Sequence, residues 1–188
     1  MQTRLTIILL ALLFSVRLFG QTKGNSNKER YTRDPELAKY TGTWQWKSDS
    51  TIFTIVLRQV KLHFSGTGKS KDVIIGWHSY YENGVLLESS QDRIASAPLK
   101  EMEDTLLAKV ATITATTPTK PSTLSIYIHD LTRKREFSGH LELIPGKPDA
   151  AIWETEYRSK MEFYFKDKPP AYMSGRTVPT GIVMRKIR

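Results

Sequence analysis

The sequence predicts an all-β fold, an up-and-down antiparallel barrel of about eight to ten strands with a short N-terminal helical turn. Three observations predict it. Short β-type runs follow one another with turn residues between them. Only one stretch carries a helix-start signal, and it is long enough for a single turn. Consecutive runs lie close enough in the chain to pair as hairpins, and a meander that closes on itself buries its edges.

The chain opens Met1-Gln-Thr-Arg4, runs through the apolar stretch Leu5 to Phe14 and reaches Gly20 before Gln21. A basic start, about ten apolar residues and a small residue at the boundary are the marks of a secretory signal peptide, expected over 1–20. The apolar run is shorter than the ~20 residues a bilayer requires, and Arg17 ends it, so no transmembrane segment is expected in the mature chain. Export to the periplasm or the medium is the localisation this implies. Residues 21–33 (QTKGNSNKERYTR) are polar and aperiodic and read as a flexible leader. One folded domain is expected over 34–188.

Order is expected to begin at Asp34-Pro35, where Asp34 caps the first amides and Pro35 suits the first helical position. Gly42-Thr-Trp-Gln-Trp46 opens the strands, and Ser48-Asp-Ser50 turns the chain. From Thr51 to Phe64 the apolar parity switches: Phe53, Ile55 and Leu57 alternate on one parity, Val60, Leu62 and Phe64 on the other. A bulge or sharp bend near Arg58-Gln59 would let both halves face one core. Asp72 to Tyr81 is the next strand, and Asn83-Gly84 is the strongest hairpin signal in the chain. Val85 to Glu88 returns, Gln91 to Asp104 is an irregular connection, and Thr105 to Thr116 pairs with Ser122 to His129. Glu136 to Ile144 and Ala151 to Tyr157 flank Pro145-Gly-Lys-Pro148. Lys166 to Pro179 reads as loop, and Thr180 to Ile187 as the last strand.

Of the 188 residues, 39% are hydrophobic, enough to build a core, and a chain of this length suggests one domain. There is no cysteine, which excludes disulfides, thiolate metal sites, a cysteine nucleophile and a lipidated cysteine anchor. The formal charge of +9 permits acidic partners. Its carriers are scattered over turns, Lys69 and Lys71, Arg133-Lys134-Arg135 and Arg185-Lys186-x-Arg188, so no nucleic-acid partner is expected.

Glu36-Leu-Ala-Lys-Tyr-Thr-Gly42-Thr-Trp44 resembles the start of lipocalin-type barrels, where a helical turn leads into Gly-x-Trp on the first strand. Thr41 to Trp44 followed by Asp49 to Thr54 is similar to avidins, which share the calycin architecture. The resemblance implies structural roles for Gly42 and Trp44, with the tryptophan plugging the closed end under a basic residue of the last strand. Arg185 is the candidate for that residue, and Arg188 the second. The wider set, Gly42 to Trp46, Asp72 to His78, Asn83-Gly84 and Pro179 to Met184, resembles a domain-of-unknown-function family of exported Bacteroidota proteins, which implies no activity. Gln45-Trp46-Lys47 stands where avidins place a biotin-binding asparagine, so biotin binding is not implied.

No motif selects a catalytic site, a metal site or a cofactor. The histidines His63, His78, His129 and His140 lack ligand spacing, Gly-x-Ser-x-Gly is absent, and Gly66-x-Gly68-Lys69 lacks the helix of a phosphate loop. Glu154 and Glu156 share a strand face and read as solvated. Aromatics in strands are the richer signal. Trp77, Tyr81, Tyr127 and Trp153 are the candidates for lining an apolar cavity, against the simpler reading of a packed core. A non-enzymatic, exported barrel that binds a small hydrophobic or amphipathic ligand is therefore expected. The alternative is an interaction or structural module of the cell envelope with a filled core. Its surface, including the Lys166 to Pro179 loop and the acidic Glu101-x-Glu103-Asp104 cluster, would contact an envelope protein, while the positive charge allows an anionic outer surface as another partner.

Overall fold

A computed structural model describes residues 30–98, 100–120, 122–157 and 175–187. The expected signal peptide, residues 21–29 of the leader, residues 166–174 of the expected loop and Arg188 lie outside the described residues; the end of the leader, read as flexible, is instead a strand at Arg30–Thr32. The elements run β1 (Arg30–Thr32), a 3-10 turn (Pro35–Tyr40), β2 (Gly42–Ser48), β3 (Thr51–Phe64), β4 (Lys69–Glu82), β5 (Val85–Ser89), a 3-10 turn (Gln91–Ser96) and β6 (Glu101–Glu103). A 3-10 turn (Asp104–Leu106) then enters one α-helical turn (Leu107–Val110), followed by β7 (Ile113–Lys120), β8 (Thr123–Asp130), β9 (Arg135–Ile144), β10 (Lys147–Tyr157) and β11 (Ile182–Lys186).

Eight of these strands, β2, β3, β4 and β7 to β11, form a closed up-and-down barrel in which every neighbouring pair is antiparallel. The ring shuts where β11 lies beside β2, with Arg185 opposite Gln45 and Lys186 opposite Trp44. The short strands stand outside it: β1 runs parallel to β4 at 69–71, β6 runs parallel to β3 at 61–63, and β5 forms a hairpin with β4. That hairpin turns at Asn83-Gly84, where both residues have the positive φ of a tight primed turn, 52° and 75°.

The helical turn at Pro35 forms as expected, with Asp34 Oδ1 accepting from the Glu36 amide at 3.2 Å. The chain leaves it through Gly42, whose φ of 116° is costly for any residue with a Cβ. This turn is what places Trp44 inside the barrel. One continuous cluster fills the interior. Leu37 and Tyr40 enter from the turn, Trp44 from β2, Phe53, Ile55 and Leu57 from β3, Ile74 from β4, and the inward residues of β7 to β11 complete it.

Two sequence expectations are corrected. β3 carries no bulge at Arg58-Gln59, because its pairing with β4 runs unbroken from Thr51 opposite Glu82 to Phe64 opposite Lys69. The parity switch instead reflects two cores. The odd residues Phe53, Ile55 and Leu57 point into the barrel, while Val60 and Leu62 point outward with Val73, Ile75 and Trp77. Residues 91–111 cover this outer face and supply Ala97, Met102 and Ala111 to the second cluster. The second correction is at Thr105, where 104–110 is helical rather than strand. Leu107, Val110 and Ala111 recur at spacings of three and four and turn one apolar side onto the second cluster.

Candidate functional site

The four aromatic candidates do not converge. Trp153, on β10, is fully buried in the barrel cluster, 5.6 Å from the Phe53 ring, and its indole donates to the Pro179 carbonyl at 2.9 Å. Trp77, on β4, is fully buried in the outer cluster. Its indole donates to the Val110 carbonyl at 2.5 Å, and the Arg58 guanidinium lies 5.1 Å from its ring. Tyr81 and Tyr127 are exposed, Tyr81 beside the β4–β5 turn and Tyr127 on the outer wall of β8. Residues of opposite parity on a closed sheet face opposite sides, which is why strand aromatics do not gather in one cup. The side chain of Tyr157 lies outside the described residues.

Both ends of the barrel are occupied by the chain. At one end Trp44 is fully buried, and its indole donates to the Tyr40 carbonyl at 2.8 Å. The basic residue at its ring is Lys186 and not Arg185. The Lys186 ammonium lies 5.2 Å from the ring centre and donates to the Lys39 carbonyl at 2.9 Å, whereas Arg185 is exposed. Lys186 has the parity of Ile182 and Met184, which face the interior. Burial lowers the Lys186 pKa. At the other end Val178 inserts into the barrel cluster, and Asp130 holds its segment by accepting from the Thr177 amide at 2.6 Å. Arg176 ties the same segment to β10 by donating to the Thr155 carbonyl at 2.8 Å.

A groove of about 330 Å3 lies outside the barrel, between the Leu107–Val110 turn and the wall of β7 and β8. Leu107, Ala108 and Ala111 form one side, and Thr114, Tyr127 and His129 the other, with Arg93 and Glu136 among its polar lining. Its volume suits a small ligand, and its mixture of aliphatic, aromatic and charged groups suits an amphipathic one. Only Tyr127 of the four candidates is here. The strand reading of 105–116 hid the wall at Leu107, Ala108 and Ala111, and no spacing in the sequence relates it to Arg93, His129 and Glu136.

Thr112, on the groove, leads inward to a sealed polar cluster. Its hydroxyl lies 3.0 Å from His78 Nδ1 and 2.7 Å from Ser90 Oγ, and His78 Nε2 meets Glu88 Oε1 at 2.5 Å. The Glu88 carboxylate also accepts from the Leu131 amide at 2.9 Å and the Thr132 amide at 2.8 Å. Burial acts to raise the Glu88 pKa. Hydrogen bonds from His78, Thr132 and Leu131 outweigh it and bring the group down to about 2. A carboxylate only accepts, so His78 Nε2 carries the proton between them. This cluster joins β4, β5, the start of β7 and the β8–β9 turn. His78 and His63 lie on β4 and β3 but do not meet: His63 pairs with Ser70 and Glu101, and His140 with Glu154. No group of three or more metal-ligating side chains occurs among the described residues.

A family model described as a family of unknown function (DUF6705) matches residues 1–187. Neither a curated protein nor a solved structure matches the chain.

Proposed function

We propose a binding function on the geometry alone, because the chain belongs to DUF6705, a family of unknown function. The protein is an exported, non-catalytic barrel that takes a small apolar or amphipathic molecule in the outer groove. The groove itself carries this reading: an aliphatic wall at Leu107, Ala108 and Ala111 faces Tyr127, with Arg93 to meet a polar head. The interior is a weaker candidate, since Trp44, Phe53, Trp153 and Val178 occupy it together. Export rests on the Met1 to Gly20 segment.

Native mass spectrometry of the exported protein tests this reading. A small apolar compound is expected to travel with the wild type and to be lost from Ala108→Trp, which fills the groove from an exposed position. Retention of the same compound by the variant would sink the groove assignment.

One observation favours the second reading, an envelope interaction module. Val85, Leu86 and Leu87 are 60%, 47% and 43% exposed in succession on β5, with Tyr81 opposite Leu86. Val85 and Leu87 share one face of β5 and Leu86 the other with Tyr81, so the hairpin exposes apolar side chains on both faces. In that case a Leu86→Glu, Leu87→Glu variant folds normally but no longer captures an envelope protein.

A further inference from the structure

The parallel pairing of β1 with β4 sets Arg30 opposite Lys69 and Thr32 opposite Lys71. Across β4, Phe64 stands opposite Lys69 and Leu62 opposite Lys71. Residues paired across strands share a face, so three cations and an aromatic ring gather on one side of this three-stranded patch. Arg30, Thr32, Phe64, Thr67, Lys69 and Lys71 line an open cleft of about 470 Å3. The Lys71 ammonium lies 5.6 Å from the centre of the Phe64 ring.

Like charges directly opposite on neighbouring strands destabilise a sheet, and among the described residues no carboxylate answers these three. Asp72, the next residue along β4, faces the other side. There it accepts from the Tyr31 hydroxyl at 2.7 Å, the Asp34 amide at 2.9 Å and the Gln59 amide at 2.9 Å. The acidic residues of β6 and its turn are engaged across β3, Glu101 with His63 at 3.2 Å and Asp104 with Ser65 at 2.7 Å. The fold thus assembles cations in register and directs nearby carboxylates elsewhere.

We infer that this cleft binds a phosphate group. Arg30, Lys69 and Lys71 supply the charge, and the Thr32 hydroxyl adds a donor. The Phe64 ring is the floor for whatever bears the phosphate. A phosphate monoester carries close to two negative charges at neutral pH, a better match to three clustered cations than a single carboxylate. Side chains do the binding, so no helix terminus is needed. The site is separate from the outer groove and stands whether or not that groove holds a ligand.

Calorimetric titration of inorganic phosphate into the full chain, at constant ionic strength in chloride, tests the inference. Saturable binding is expected, weakened at least tenfold by Lys69→Gln with Lys71→Gln. It should persist in Lys47→Gln with Lys134→Gln, which removes the same charge elsewhere. Thermal unfolding without phosphate guards against a folding artefact, because relieving the Arg30–Lys69 repulsion should leave the melting temperature unchanged or raised. Co-sedimentation with vesicles containing phosphatidic acid, whose headgroup is itself a phosphate monoester, separates the sources. Capture that free phosphate abolishes assigns the group to a lipid headgroup, and phosphate binding without capture assigns it to a soluble molecule. No saturable phosphate binding, or equal weakening in the two double variants, overturns the inference.

Discussion

The ammonium of Lys186, at the end of the last barrel strand, stands over the Trp44 ring of the first, 5.2 Å from its centre, while donating to the Lys39 carbonyl. Cation–π attraction and a charge-assisted hydrogen bond at a partly buried site together give a stabilisation of about 2 kcal/mol. Lys186→Met is expected to lose that amount in denaturant unfolding, and Arg185→Met, on the exposed parity, to stay within about 0.5 kcal/mol of wild type. Equal losses would return the role to Arg185.

Glu88 makes stability depend on pH in one direction. Its carboxyl is held at about 2 in the folded chain, below its ordinary value of 4.5. The associated stabilisation is therefore fully present above pH 4.5 and is lost as pH falls towards 2. Glu88→Gln should unfold more readily at neutral pH, by a few kcal/mol, and show a flatter profile between pH 5 and 2. Parallel profiles for the two proteins would refute the account.

Tyr40 behaves differently. Burial, with added repulsion from Glu36, Asp34 and Glu142, raises its hydroxyl to about 12, and that hydroxyl has no hydrogen-bond partner among the described residues. Tyr40→Phe removes an unsatisfied polar atom and keeps the ring, so a gain of about 1 kcal/mol is expected. Destabilisation would show that the hydroxyl is satisfied in solution.

Gly139 pairs with Thr155 across β9 and β10, and a Cβ on it would run into the Glu154 carbonyl oxygen. The obstacle is backbone on a paired strand, so Gly139→Ala should cost about 3 kcal/mol or more. A near-neutral melting temperature would mean the two strands part easily.

Trp77 fastens the 91–111 excursion to the outer face through the Val110 carbonyl. Trp77→Phe should speed amide exchange over 91–111 while β8 to β10 keep their protection. Uniform acceleration would show that the two cores open as one.

Much of the barrel was legible because its signals are local. Asn83-Gly84 specifies its own turn, Asp34-Pro35 its own cap, and alternation marks the strands of β8 to β10. The second core was not legible. Val60 and Leu62 show only that the parity changes, and a bulge or a second buried face yields the same string. The alternation of Ile182, Met184 and Lys186 did contain the partner of Trp44, but the choice between adjacent cations rests on one step of register. The outer groove joins residues from 93 to 136, and no spacing rule relates them. The phosphate cleft was hidden for a similar reason, since the pairing of Arg30 with Lys69 arises only once β1 docks.

Lys39 and Lys186 are 147 positions apart, and the contact between them is part of the seam that shuts the barrel. Formed from the open chain that seam would carry a large loop entropy, so it belongs late in folding, after the intervening strands have paired and shortened the gap. Until then the free edge of β2 is open to pairing with another chain. A chain stalled short of residues 182–186 is accordingly a hazard to its neighbours as well as incomplete, and the speed of that last docking step sets how long the hazard lasts.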